Sequence, residues 1–179
     1  MMLVTGPTGS GKTTTLYAAI GELNTAARKI ITIEDPIEYS IKRVTQVQVN
    51  NTIGLSFSTI LRSSLRQDPD IVMVGEMRDE ETVSIGLRAS MTGHFVLSTL
   101  HTNDSISSAM RLIDMGAQGF LVASGLRVII AQRLLRKICE HCKTAHTVTK
   151  IEEAWLKNLF PNYKSGRTFK IGKGCSRCS

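Results

Sequence analysis

An eight-residue stretch, GPTGSGKT at residues 6–13, contains the residue types that bind a chain of phosphates. Its glycines allow the backbone to bend and approach phosphate oxygens without a Cβ in the way. Successive N–H groups of such a loop point inward, and the start of the following helix adds positive potential. We predict that Lys12 reaches the β- and γ-phosphates and that Thr13 offers its hydroxyl to Mg²⁺. The candidate nucleotide-binding residues are Gly6, Pro7, Thr8, Gly9, Ser10, Gly11, Lys12, Thr13 and Thr14.

Chemically able side chains also lie at the end of three other apolar runs or directly after them. Because ligands of parallel sheets bind at the carboxyl ends of the strands, we expect these side chains at one edge together with the phosphate loop. Singly, each group could be a turn, a cap or a structural histidine. Together they supply what ATP hydrolysis needs, which is a carboxylate for Mg²⁺ and a base or orienting group for water. The three groups are Glu34, Asp35 and Glu38; Glu76, Arg78 and Asp79; and Thr99, His101 and Thr102.

One of these groups departs from the usual pattern, in which an aspartate ends the strand that faces the metal. Here IVMV (71–74) is followed by Gly75 and then Glu76. The pattern therefore leaves two assignments open. Either Glu34 is the base and Glu76 lies near Mg²⁺, or the two roles are exchanged.

Four cysteines form two C-x-x-C pairs, and we predict that they bind one zinc ion. Zinc takes four thiolates in a tetrahedron, and each pair offers two from a tight knuckle. Two disulfides or four free thiols are the alternatives, and a reducing compartment disfavours disulfides. His141 and His146 could replace a ligand, although four thiols make them unnecessary. The metal ligands are Cys139, Cys142, Cys175 and Cys178.

The elements that must position these residues alternate along the chain. Near-continuous apolar runs at 2–5, 30–33, 71–74 and 95–100 are typical of strands buried on both faces. Helical patterns lie between them, at 12–27, 57–67 and 80–91, and this alternation predicts an α/β fold with a mostly parallel sheet. Residues 39–55 break the rhythm and predict an antiparallel excursion at the sheet edge. The later part predicts helices at 105–116, 118–138 and 152–160.

In this order, the four motif regions resemble those of the secretion and pilus ATPases. GPTGSGKTTTLY resembles their Walker A motif, ITIEDPIEY their Asp box, LRQDPDIVMVGEMRDEET their Walker B region and TGHFVLSTLHTND their His box. The resemblance covers residues 2–142. It implies a RecA-like P-loop NTPase core, and GEMRD suggests an MSHA-type pilus extension ATPase.

The resemblance also implies roles and partners. Lys12 and Thr13 would contact phosphate and Mg²⁺, Glu34 would lie near the attacking water, Glu76 near Mg²⁺, and His101 would sense the γ-phosphate. The cofactors would be ATP, Mg²⁺ and Zn²⁺. The protein would form a homo-hexamer in the cytoplasm, bound peripherally to the bacterial inner membrane through a platform protein, and power type II secretion or the assembly of a pilus or pseudopilus. The four-cysteine element indicates an assembly motor, because retraction motors usually lack it.

The same family carries an N-terminal domain that contributes catalytic arginines, and residues 1–179 contain nothing that matches it. We therefore expect the chain to be the C-terminal part of a longer protein, with weak ATPase activity by itself. We divide it into an ATPase core at 1–134 and a tetracysteine zinc-binding element at 135–179.

Charge is distributed unevenly. Residues 1–132 hold eleven Lys and Arg against twelve Asp and Glu, whereas residues 133–179 hold eleven against three. The basic end could meet an acidic protein, an acidic lipid or nucleic acid, or could simply keep the segment soluble. Aromatic residues are only 5% of the chain, which disfavours a platform for stacking single strands. We therefore expect no nucleic-acid partner. A motor that translocates nucleic acid and a nucleotide-binding module without catalytic activity are the weaker alternatives to a secretion or pilus ATPase.

Overall fold

In the computed structural model, which describes residues 1–178, the chain divides into two compact units. The first is Met1–Leu134 and the second begins at Leu135. The first unit alternates strands and helices in the order β1 Met2–Thr5, α1 Lys12–Leu23, β2 Ile30–Glu34, β3 Val44–Gln48, α2 Phe57–Leu65, β4 Ile71–Val74, α3 Glu80–Met91, β5 Phe95–Leu100, α4 Ser105–Asp114, α5 Gly119–Gly125 and β6 Val128–Ala131.

The strands of the first unit form one six-stranded sheet in the order β3-β2-β4-β5-β1-β6. Every neighbouring pair is parallel, so all six carboxyl ends lie at one edge. The predicted α/β fold with a mostly parallel sheet is confirmed. The order reverses around β1, whose neighbours β5 and β6 both come late in the chain, and this is where parallel sheets bind ligands.

Apolar side chains fill both faces of the sheet. On one face, Leu16, Tyr17 and Ile20 of α1 pack against Val4, Ile30, Ile71, Met73 and Leu97. On the other, α2, α3 and α5 cover a larger cluster that includes Leu3, Ile33, Val72, Val74 and Val96. Because neighbouring strand residues point to opposite faces, continuous apolar runs serve both clusters at once.

The edge strand β3 was expected to be antiparallel, and that expectation is wrong. It pairs with β2 in parallel register, Ile30 opposite Val44 and Glu34 opposite Gln48. The segment between the strands returns to the starting end of β2 before β3 begins. Alternating residue types predict which side chains share a face, but they do not encode strand direction.

The single helix expected at 118–138 is also wrong. Helix α5 ends at Gly125, and Val128–Ala131 forms β6 beside β1. An apolar run of this length fits a helix or a buried strand equally well by periodicity. In the folded sheet, the edge of β1 that is not paired with β5 is available for pairing, and residues 128–131 pair with it as a strand.

The second unit contains a two-stranded antiparallel sheet and one helix. Strand β7 is Lys143–His146, α6 is Lys150–Leu159 and β8 is Phe169–Gly172. Helix α6 starts with a capping box, in which Thr149 and Glu152 each bond the other's backbone. Among the helices of residues 1–178, none combines the length and apolar character needed to cross a bilayer.

Candidate functional site

The carboxyl edge of the sheet holds a cavity of about 770 Å³, and the predicted site residues meet there. The phosphate-loop residues Thr8, Gly9, Gly11, Lys12, Thr13 and Thr14 line it, together with Glu34, Glu76 and His101 from the ends of three other strands. Gly6, Pro7 and Ser10 bond within the loop, where the Ser10 amide donates to the Pro7 carbonyl at 3.2 Å.

Local backbone geometry explains the loop. Gly9 and Gly11 have φ values of 76° and 83°, a left-handed conformation that favours glycine. A Cβ at Gly6 would lie 2.4 Å from the carbonyl oxygen of Gln132, so a side chain there would push the loop away from β6. At Gly9, among the described residues beyond its two chain neighbours, no atom would lie within 4 Å of such a Cβ. The loop thus forms an open cradle at the start of α1, which fits a phosphate chain.

Lys12 is almost fully buried at the first turn of α1. Its ammonium group donates to the carbonyls of Gly6 and Pro7, at 3.0 and 3.1 Å. Burial lowers the pKa of Lys12 below its ordinary value, and the nearby Glu76 carboxylate opposes that shift.

Gln132 braces the loop from outside, and sequence reasoning missed it. Its side-chain amide donates to the Ser10 carbonyl and accepts from the Thr15 hydroxyl, each at 2.6 Å. Gln132 comes directly after β6, just as Glu34 is the last residue of β2 and His101 comes directly after β5. Recognising 128–131 as a strand would have brought it to attention by the same rule.

Glu34 ends β2 and is only 2% exposed. Its carboxylate accepts hydrogen bonds from the hydroxyls of Tyr17 and Thr32 and from the amide of Gln46. Burial chiefly, and then Glu34, raises the pKa of Tyr17 to about 12. The Tyr17 and Gln46 contacts were not expected from sequence, because they depend on the order of the elements in the sheet, whereas Thr32 lies on the same strand as Glu34.

Glu76 is more open, and its side chain is 21% exposed. Arg78 donates to Glu76 at 2.6 Å and to Asp35 at 3.1 Å, so one guanidinium joins the acids that follow β2 and β4. The hydrogen bond to Glu76 is the main cause that raises the pKa of Arg78. His101 lies with its Nε2 atom 3.7 Å from the Glu76 carboxylate.

Other polar residues of the predicted groups serve the fold. Asp79 caps α3 by accepting from the backbone and hydroxyl of Thr82. The hydroxyl of Thr99 donates to the Gly75 carbonyl at 2.6 Å, and Thr102 bonds with Thr5 of β1. These residues stabilise the turns that deliver Glu76 and His101.

In the second unit, the four cysteines come together as predicted. All are free, and their four sulfur atoms lie within 4.8 Å of one another. The antiparallel pairing of β7 with β8 brings the two C-x-x-C segments together. At the end of this hairpin, the Lys173 amide donates to the Cys142 carbonyl. Recorded Sγ–Sγ distances are 3.7, 3.8 and 4.0 Å. Four sulfurs bound to zinc at about 2.3 Å lie about 3.8 Å apart, so the donor set fits a tetrahedral ion.

The chemistry of these thiols also fits a cation. A backbone contact with His141 lowers the pKa of Cys139, which favours its thiolate. A backbone contact with Cys175 lowers the pKa of Cys178, but the neighbouring thiols raise it more, to about 11. A bound cation would remove the cost of ionising thiols this close together. The two histidines lie in other contacts: His141 beside Arg177, and His146 3.0 Å from Glu152.

Comparison with known proteins gives one consistent family. The model of the family "Type II/IV secretion system protein" matches residues 1–179. The chain is 57% identical to the putative type II secretion system protein E of Escherichia coli K12, over 99% of this chain and 36% of that protein. It is 51% identical to the type IV pilus assembly ATPase PilB of Myxococcus xanthus, over 100% of this chain and 32% of that protein.

A solved structure agrees with these relatives. The pilus retraction motor PilT, crystallised with bound ADP, matches 78% of this chain and 43% of its own, with a TM-score of 0.71 and 47% identity. The chain spans about a third of the length of the two curated relatives. The expected α/β fold is therefore confirmed by a solved structure that is also similar in sequence.

The Tyr17–Glu34 contact leads to a titration prediction. Substituting Glu34→Gln removes the negative charge beside the phenol, so the pKa of Tyr17 falls from about 12 but stays above its ordinary value, because burial is the larger cause. Ultraviolet absorbance of the phenolate measures this change, and Tyr17→Phe identifies the signal among three tyrosines. Glu22→Gln, which neutralises an exposed carboxylate on the same helix that is not among the causes of the Tyr17 shift, is the matched control. An unchanged titration in Glu34→Gln would contradict the contact.

Proposed function

Since the chain belongs to the type II/IV secretion system protein family, we propose that it is the ATP-binding and ATP-hydrolysing motor domain of a cytoplasmic ATPase that powers type II secretion or pilus assembly. One observation carries the proposal: the phosphate loop with Lys12 opens into the same cavity as Glu34, Glu76 and His101. Relatives named for type II secretion and for pilus assembly match at similar identity, so the proposal covers both machines.

In this proposal, binding energy comes from the loop and the start of α1. The loop amides and the helix N-terminus attract the phosphate chain, and the Lys12 ammonium exchanges its carbonyl partners for phosphate oxygens. Gln132 keeps the loop in its open form by bonding Ser10 on one side and Thr15 on the other. Thr8, Gly9, Gly11 and Thr14 complete the cavity wall nearest the loop.

Hydrolysis needs a group that orients the attacking water and others that respond to the γ-phosphate. Glu34 suits the first role, because its carboxylate is buried and held by three donors. Thr13 and Glu76 would hold Mg²⁺, which neutralises developing negative charge on the phosphates. His101, beside Glu76 and half exposed, suits a sensor of the γ-phosphate.

We propose the wider assembly by resemblance to the same family. We infer a homo-hexamer that acts on a platform protein at the bacterial inner membrane, with peripheral contact to that membrane. The four-cysteine element favours an assembly motor over a retraction motor. For contact with the platform protein or anionic membrane we propose the basic segment 143–173 of the second unit, in which lysines and arginines outnumber acids.

Zinc is the metal that we propose for the thiol cluster. None of the described residues from 135 to 178 is fully buried, so this unit lacks an apolar core of its own. Small units without such a core depend on metals or disulfides for stability. Cys139, Cys142, Cys175 and Cys178 would supply four thiolates, and the ion would link the two ends of the β7–β8 hairpin.

The nucleotide proposal predicts the effect of Lys12→Ala. ATP turnover in the full-length protein should fall at least about a hundredfold, because the phosphate-facing charge is lost. Lys42→Ala, which removes an exposed lysine of the same unit, should leave turnover unchanged. Turnover is measured as phosphate release at saturating ATP. Wild-type turnover, or surviving secretion or pilus assembly, in Lys12→Ala would refute a motor driven by this site.

The zinc proposal predicts about one zinc ion per chain by elemental analysis. The pair Cys142→Ser and Cys178→Ser should abolish metal binding, and limited proteolysis should then cut within 135–178 while the first unit stays intact. His146→Ala, which removes a potential ligand outside the cluster, is the control and should keep the zinc. A metal-free chain with an equally protected second unit would overturn the assignment.

The basic-segment proposal predicts that charge reversal weakens binding to the platform protein, and that this binding is sensitive to salt. The variant reverses Lys164, Lys170 and Lys173 to Glu. The control reverses three exposed positions of the first unit, Lys42, Arg66 and Arg88. We expect a loss of about tenfold or more in affinity for the first set only. Equal binding by both variants would show that the basic segment is not the contact.

A further inference from the structure

The Glu34 carboxylate is buried without a cationic partner. Its side chain takes no part in any ion pair that the structure records among residues 1–178. A buried charge without hydrogen bonds is costly, so its neutral donors determine where it can lie. Those donors are Tyr17, Thr32 and Gln46.

Gln46 can act only as a donor toward Glu34. Its carbonyl oxygen accepts the Ile41 amide at 2.7 Å, and its NH₂ group donates to the Tyr39 carbonyl at 3.1 Å and to Glu34 at 3.0 Å. A flipped amide would place oxygen against the carboxylate and against a carbonyl, and would leave the Ile41 amide facing NH₂. Backbone groups therefore fix which end of the amide meets Glu34.

The strand register places Gln46 there. In the parallel β2–β3 pair Gln46 lies opposite Thr32, two residues before Glu34, so all three side chains share one face. Tyr17 reaches the other carboxylate oxygen from α1, the helix that starts with Lys12. The ring of Tyr39 packs edge-on against Tyr17, with centroids 4.7 Å apart.

We propose that Gln46 and Tyr17 are positioning residues that hold the Glu34 carboxylate in one orientation toward the attacking water, and that edge strand β3 serves the site by supplying Gln46. The inference rests on the proposed function, in which Glu34 orients that water. Gln46 acts through Glu34 and Tyr17 joins Glu34 to the phosphate-binding helix, so neither residue needs to touch ATP.

The test compares three substitutions in the full-length protein. Gln46→Met keeps the length of the side chain and removes both hydrogen-bonding ends. Tyr17→Phe removes one hydroxyl. Gln48→Met is the matched control, because it makes the same change two residues further along β3, where the side chain lies opposite Glu34 but has its recorded hydrogen bond with the Ile37 amide. Thermal unfolding checks that each variant is folded.

We expect kcat to fall about tenfold to a hundredfold in Gln46→Met and Tyr17→Phe, with KM for ATP nearly unchanged, because a misplaced water-orienting group slows chemistry and not binding. The control should keep both constants. In a Glu34→Gln background, adding Gln46→Met should not lower the residual rate further. A residue that only stabilises the fold would lower it again.

Two results would overturn the inference in different ways. If Glu34→Gln keeps wild-type turnover, the role proposed for Glu34 is wrong. The orientation of its carboxylate would then not affect catalysis, and the positioning inference would fail with it. If Glu34→Gln abolishes turnover but Gln46→Met and Tyr17→Phe behave like Gln48→Met, the proposed function stands and the positioning inference fails. Should Gln46→Met not fold, Tyr17→Phe decides by the same criteria.

Discussion

The amide of Gly75 donates to the Ile33 carbonyl at 2.8 Å, and the geometry of the cavity depends on this contact. It extends the pairing of β2 with β4 one residue beyond the end of β4. Glu34 and Glu76 therefore lie side by side at the ends of neighbouring strands. A Cβ at position 75 would lie 3.2 Å from that carbonyl and 3.6 Å from the Cα of Glu34. Packing therefore explains why Gly75 stands where an aspartate usually ends the metal-facing strand. The glycine lets the ends of β2 and β4 lie close together, and the acid, Glu76, comes one residue later.

Two kinds of partner hold the acids that meet at this edge. Glu34 is buried and tied by neutral donors, whereas Glu76 stays accessible and shares Arg78 with Asp35. A carboxylate held by neutral groups has no cation competing for its oxygens and can accept a hydrogen bond from water. One that is paired with a guanidinium can exchange that partner for a metal ion. This difference in surroundings supports Glu34 as the water-orienting residue and Glu76 as the metal-side residue, the first of the two assignments that residue types alone left open.

The two units differ in what can stabilise their folded state. The first buries apolar side chains on both faces of a parallel sheet, including Leu3, Val72 and Leu97 with no exposed surface. The second has no fully buried residue among 135–178, and its four thiols lie just before the start of β7 and just after the end of β8. In such a unit a metal ion would replace the core, so that metal binding and folding become one equilibrium.

Short-range features were accessible from the sequence. The phosphate loop is one continuous segment, the cysteine pairs are local knuckles, and β1, β4, β5 and α3 have the residue bounds that their patterns predicted. The direction of β3, the split of 118–138 into α5 and β6, and the contacts of Tyr17, Gln46 and Gln132 were not. Each depends on which strand lies next to which, and a pattern along the chain does not contain that order. The sequence by itself determined which chemical groups are present and which of them lie on the same element. Only the tertiary structure decided which groups touch, because hydrogen bonds between distant segments form where the sheet order and register bring them within 3 Å or so.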